Sequence, residues 1–82
     1  MPTIIYGEVS DKNAKTVEII NGQYPEILIS ECHVQHNNFA LPIPTGVNID
    51  EHPVSLIVRD NGDILKKKDV MIKIGSINEV NL

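Results

Sequence analysis

Short apolar runs rich in Ile, Val and Leu recur along the chain, and Gly, Pro, Asn or Asp ends each within a few residues. No stretch keeps helical periodicity over the roughly 11–18 residues that identify an amphipathic helix. β-branched side chains are stiff and fit a pleated sheet better than a helix. The 82 residues suffice for one core only. The sequence therefore predicts a single all-β domain over residues 1–82, with little or no helix.

Alternating apolar and polar residues place about six short strands. They are predicted at Thr3–Val9, Lys15–Ile20, Glu26–Val34, Phe39–Ile43, Val54–Arg59 and Val70–Ile74, and the Ile77–Leu82 tail is expected to dock as a short last strand. The uninterrupted Ile-Leu-Ile run in the third strand predicts a central position, covered on both faces. The prolines around the fourth predict an edge strand or an extended arm, because proline cannot donate to a ladder. Together they predict a small sandwich or barrel of mostly antiparallel strands.

Two Asn-Gly pairs, at 21–22 and 61–62, predict hairpin turns of type I′, in which both central residues need positive φ. A two-residue turn at 61–62 would place Lys66 and Lys67 opposite the apolar residues Ile57 and Leu56. A bulge or a second tight turn within Lys66–Asp69 would reset this register. Alternatively, the hairpin is short and the strand from Val70 pairs elsewhere.

Metal and catalytic sites find little support in the residue spacing. The loop at Asp60 and Asp63 lacks the ligand positions of a helix-flanked calcium loop, so it is interpreted as a turn. Cys32, His33, His36 and His52 are metal-capable, but their spacing matches no zinc finger or ribbon. The simplest interpretation is a buried Cys32 and surface histidines. No enzymatic activity, metal or cofactor is expected, although the sequence leaves open whether these four residues converge.

Charge and composition narrow the class of partner. The net charge is −4, and Lys66, Lys67 and Lys68 form the one basic cluster, so nucleic acid is not expected as a partner. We interpret this run as a solvated edge that discourages aggregation, with a contact patch for an acidic partner as the alternative. No signal peptide or membrane-length apolar run is evident. The expected location is the cytoplasm, or a virion assembled there.

The remaining function classes involve protein partners. High apolar content in a short chain favours a non-enzymatic structural or accessory protein that self-assembles or docks into a larger complex, for example a phage or virion decoration or tail component. The alternative is a small protein-binding inhibitor or adaptor of the phage anti-host or anti-defence type. Long loops often carry binding surfaces, so the segment before Pro53 is the predicted contact. Its candidate partner-binding residues are Phe39, Leu41, Pro42, Ile43, Pro44, Val47 and Ile49.

Overall fold

The computed structural model describes residues 2–22, 24, 27–44 and 53–82. These residues form seven strands and no helix, which confirms the predicted all-β class. The strands are β1 (Thr3–Glu8), β2 (Thr16–Asn21), β3 (Leu28–His33), β4 (Asn38–Ile43), β5 (Val54–Arg59), β6 (Ile64–Val70) and β7 (Ile77–Glu79). The short last strand predicted in the tail is β7.

The strands form two sheets, which pack against each other as a small sandwich. The three-stranded sheet has the order β4-β1-β7, and the four-stranded sheet has the order β3-β2-β5-β6. Every pairing is antiparallel except that of β1 with β7, which is parallel. A single cluster of buried side chains draws on both sheets. It includes Ile5 and Leu41 from the smaller sheet and Val17, Ile19 and Leu56 from the larger one.

The strand that is covered on both faces is β5, not β3. All five residues of Val54–Val58 are buried, whereas β3 lies at an edge of its sheet and buries no residue fully. The central position predicted from the Ile-Leu-Ile run is wrong because the run contains a bulge. The register with β2 shifts so that Ile29 has no partner, and Ile29 packs on the core while Ile27 and Leu28 are exposed. The predicted edge position of β4 is confirmed.

Neither Asn-Gly pair forms a type I′ turn. At Asn21 and Gly22 neither φ is positive, and the connection from β2 to β3 extends to Ile27. Glycine is needed there for a different reason, since a Cβ at position 22 would stand 2.0 Å from the Pro53 carbonyl oxygen. The hairpin at 61–62 does form, but only Gly62 of the two has positive φ.

The type I′ turn lies instead at His36 and Asn37, whose φ angles are 53° and 60°. Gln35 and Asn38 exchange backbone hydrogen bonds of 3.0 and 2.9 Å around it. This turn carries the chain from β3 in one sheet to β4 in the other. Asparagine and histidine enter the left-handed region more readily than most residues. The turn was not predicted from the sequence because turns were assigned at Asn-Gly pairs, and this one contains no glycine.

A bulge resets the register of β6, which is one of the alternatives that the sequence left open, but it lies one residue before the lysine run. Arg59 pairs with Ile64 and Val58 pairs with Lys66, so Leu65 has no partner. From there Lys67 pairs with Ile57 and Lys68 with Leu56, and the ladder continues to Val70. The strand predicted at Val70–Ile74 is wrong, because β6 ends where that strand was to begin.

Gly7 lets the last segment of the chain lie directly on β1. The Val80 N–H donates to the Tyr6 carbonyl at 2.8 Å, and the Leu82 N–H donates to the Glu8 carbonyl at 2.7 Å. A Cβ at position 7 would stand 1.8 Å from the Val80 carbonyl oxygen. Since that oxygen belongs to backbone held by these hydrogen bonds, only glycine fits.

A Gly7→Ala substitution is therefore expected to displace residues 80–82 and to lower the free energy of unfolding by roughly 3 kcal/mol. Urea denaturation measures the loss, and amide hydrogen exchange at Val80 and Leu82 locates it. The control is Gly62→Ala, because an added Cβ there meets open space and any cost comes from the backbone φ alone. Unchanged protection of Val80 and Leu82 in Gly7→Ala would contradict the predicted clash.

Candidate functional site

The predicted partner-binding residues divide between the core and the surface. Phe39, Leu41 and Ile43 are buried, because β4 alternates and these side chains face the other sheet. Pro42 and Pro44 are exposed. Val47 and Ile49 lie outside the described residues. The prediction that this segment contacts a partner thus has accessible side chains only at the two prolines among the described positions.

The three-stranded sheet exposes an apolar outer face, which is defined by Ile4, Tyr6, Ala40, Pro42 and Ile77. The register places Pro42 and Ile77 on either side of Ile4, and Ala40 beside Tyr6. Ile77 is 64% exposed and Tyr6 is 40% exposed. A sheet with one face on the core normally turns polar residues to water. This face is therefore a candidate interaction surface.

The side of the four-stranded sheet that faces away from the core gives an internal comparison, because polar pairs lie on it. Glu18 and Arg59 lie on adjacent strands there, and their Oε1 and Nε atoms are 2.7 Å apart. The Ser55 hydroxyl donates to Asp69 across the β5–β6 ladder at 2.5 Å. That side also carries Leu28 and Ile64, which are 50% and 55% exposed, so it mixes polar pairs with apolar side chains.

Two carboxylates mark one end of the outer face. Glu8 and Glu79 lie there, since Glu79 pairs with Tyr6 and Glu8 is two residues further along β1. The face therefore has an acidic end.

A second candidate surface is the lysine edge, which comprises Lys66, Lys67 and Lys68 on β6. This strand has a neighbour on one side only. Because Lys66 and Lys68 pair with the buried Val58 and Leu56, they project from the core side of the sheet, and Lys67 projects from the opposite side.

The ammonium groups of the two core-side lysines reach the last segment of the chain. Lys66 Nζ lies 3.4 Å from the Leu82 carbonyl oxygen, and Lys68 Nζ lies 3.5 Å from that of Asn81. Both distances are long for hydrogen bonds. The two lysines thus bridge the open side between β6 and the smaller sheet, where no strand pairs with β6.

An open cleft of about 470 Å³ lies where the type I′ turn meets the ends of the two sheets. Its polar groups satisfy one another. The Asn37 side chain donates to the Val9 and Asp11 carbonyls at 3.1 and 3.4 Å, and Ser10 Oγ donates to the Leu82 carbonyl at 3.2 Å. No buried side-chain polar atom among the described residues lacks a partner. The Asn37 hydrogen bonds therefore fasten the turn to the end of β1, and the buried polar side chains of the cleft are satisfied within the protein.

The Cys-His cluster considered from the sequence has a dispersed geometry. Cys32 packs against the core, whereas His33 lies on the opposite face of β3 and His36 lies in the type I′ turn, both exposed. His52 lies outside the described residues. Within residues 2–22, 24, 27–44 and 53–82, no three His, Cys, Asp or Glu side chains come together as metal ligands.

Burial raises the pKa of the Cys32 thiol, and the Glu31 carboxylate adds to this effect, although backbone hydrogen bonds at Ala40 and Val17 oppose it. A raised pKa means that the folded protein retains the thiol proton at neutral pH. The thiolate is the nucleophilic form of cysteine. Cys32 thus has the properties of a small core residue.

Alkylation of Cys32 by iodoacetamide at pH 8 is therefore expected to be several-fold slower than that of a cysteine in a short unstructured peptide. Unfolding in urea is expected to restore the peptide rate, because it removes the burial that suppresses thiolate formation. Mass spectrometry measures the adduct, and Cys32→Ser provides the blank. A folded-state rate equal to that of the peptide would contradict a half-buried, protonated thiol.

No protein-family model matches the chain, and no curated protein or solved structure resembles it at a significant level. None of the described residues belongs to a helix long and apolar enough to cross a membrane. The surfaces of the chain itself are therefore the guide to its function.

The outer face was not identified from the sequence, and the residue pattern of β1 explains why. In Thr-Ile-Ile-Tyr, the buried Ile5 stands between Ile4 and Tyr6 of the outer face, so apolar residues occupy both sides of the strand. A strand that is apolar on both sides is usually a covered one. Only the strand order shows that nothing among the described strands covers this side.

Proposed function

We propose that this chain is a non-enzymatic structural or accessory protein that assembles with further copies of itself through the outer face. The observation that carries the proposal is the apolar row formed by Pro42, Ile4 and Ile77 across all three strands. Apolar surface of this kind is stabilised when it leaves water. In a larger particle built from many copies, such a face is permanently covered by another copy.

A second copy fits the face because a two-fold axis keeps the acidic ends apart. Two outer faces related by such an axis, with their β1 strands antiparallel, place the Glu8 and Glu79 of the two copies at opposite ends of the contact. The same arrangement stacks the row around Ile4 on the row that contains Tyr6 and Ala40. Such self-complementarity is what an isologous dimer interface requires.

The half-buried position of Cys32 and its protonated thiol also support a binding role over a catalytic one. A nucleophilic cysteine needs a base within hydrogen-bond reach. The nearest histidine in sequence, His33, projects from the other face of β3. This geometry supports the non-enzymatic part of the proposal for the residues that the structure describes.

Light scattering on a sizing column, over a dilution series, tests self-association. The wild-type chain is expected to form a dimer or a larger species. Ile77→Asp is expected to weaken association by more than about tenfold, since it would bury an unpaired charge within the contact. Ile77 is mostly exposed in the single chain, so the substitution should leave folding intact.

Leu28→Asp provides the matched control, because Leu28 is 50% exposed on the edge strand of the other sheet. It is expected to leave the association unchanged. Equal effects of the two substitutions would place the contact elsewhere. A wild-type chain that stays monomeric at every concentration would contradict self-assembly and would favour the second class considered, an adaptor or inhibitor that binds a different protein.

A further inference from the structure

We propose that the lysine edge of β6 binds an extended acidic segment of a protein partner, which adds to the four-stranded sheet as a fifth strand. This surface lies on a different sheet from the outer face. The inference therefore stands independently of self-assembly.

The first argument is the open edge itself. β6 is seven residues long, contains no proline, and pairs on one side only. After the bulge at Leu65 its ladder with β5 runs without interruption from Lys66 to Val70. The outer side of such a strand presents a row of backbone N–H and C=O groups, which an added strand can pair with.

The second argument is charge. The chain carries a net charge of −4, yet three adjacent positions of β6 are cationic. Arg59 on the neighbouring strand has a carboxylate partner in Glu18. By contrast, none of the three lysines forms an ion pair with any carboxylate among the described residues. The two core-side ammonium groups have only long contacts to backbone carbonyls, which leaves their remaining donors available to an anion.

The third argument concerns which strands the edge rejects. A second copy of β6 that paired antiparallel about Lys67 would bring lysine opposite lysine at three successive positions, and like charges that face each other across a ladder are destabilising. An uncharged strand would gain only main-chain hydrogen bonds. A strand with carboxylates opposite Lys66, Lys67 and Lys68 gains main-chain hydrogen bonds and charge attraction. The edge thus discourages self-pairing and selects an acidic partner.

Fluorescence anisotropy with blocked nine-residue peptides tests the inference. The probe has three central glutamates flanked by Val and Thr, and two comparison peptides replace these glutamates with glutamines or methylate alternate backbone nitrogens. The wild-type protein is expected to bind the glutamate peptide at least about tenfold more tightly than either comparison peptide. Glutamine removes the charge, whereas N-methylation keeps the charge and removes the main-chain donors.

On the protein side, Lys67→Glu is expected to weaken binding of the glutamate peptide by about tenfold or more. Lys67 is exposed, so folding should be retained, and circular dichroism verifies it. The matched control is Lys12→Glu, an equal change of charge at an exposed position before β2, which should change the affinity by less than about twofold. Ile77→Asp should not affect peptide binding, so this inference and the proposed self-assembly can fail separately.

Three outcomes would overturn the inference. The first is no binding of the glutamate peptide at up to about 1 mM. The second is equal binding of the N-methylated peptide, which would reduce the contact to unstructured charge attraction. The third is tighter binding of a single-stranded oligonucleotide than of the glutamate peptide, which would identify the lysines as a phosphate-binding patch.

Discussion

The burial of β5 on both faces is the constraint on which the rest of the structure depends. Val54, Leu56 and Val58 face the other sheet, and Ser55 and Ile57 are buried on the opposite side. Both β2 and β6 pair with this strand residue by residue. Since a shift of one residue would exchange the two faces of a strand, the position of each neighbour on β5 decides what the molecule presents to its surroundings.

The bulge at Leu65 illustrates this dependence. With a regular ladder, Leu65 would pair with Val58 and Lys67 with Leu56. The extra residue leaves Leu65 packed on the core without a partner, and it moves Lys66 and Lys68, in place of Lys67, to the core side at the open edge, where they reach the Leu82 and Asn81 carbonyls. Inward-pointing charge is a common way for proteins to protect an edge strand. Here it also concentrates positive charge on one edge of an acidic chain.

The sequence predicted the class and most strands, because both follow from local residue patterns. A bulge near the lysine run was one of the alternatives that these patterns left open. The sequence did not predict the order of the strands, which depends on contacts between distant residues. Because the strand order was not predicted, β3 was expected at the centre of a sheet and the outer face was not identified. Phe39, Leu41 and Ile43 were recognised as one face of a strand, but alternation alone cannot tell whether such a face meets a core or a partner.

The predictions of the turn types are wrong for a separate reason. Asn-Gly favours type I′ geometry locally, yet Gly22 serves the close approach of Pro53, and the left-handed pair is His36 and Asn37. The Asn37 side chain is bonded to Val9 and Asp11, far away in sequence. Those tertiary hydrogen bonds offset the cost of a conformation that the local sequence does not favour.

The parallel pairing of β1 with β7 has a consequence for the order in which the smaller sheet forms. β1 precedes both of its neighbours, which lie at residues 38–43 and 77–79. During translation the edge of β1 toward β4 can pair once residues 38–43 have left the ribosome, whereas the edge toward β7 stays without its partner until residues 77–79 have followed. Contacts between residues so far apart in sequence also slow folding. Among the described strands, the pairing of Thr-Ile-Ile-Tyr with β7 is therefore the last that synthesis allows.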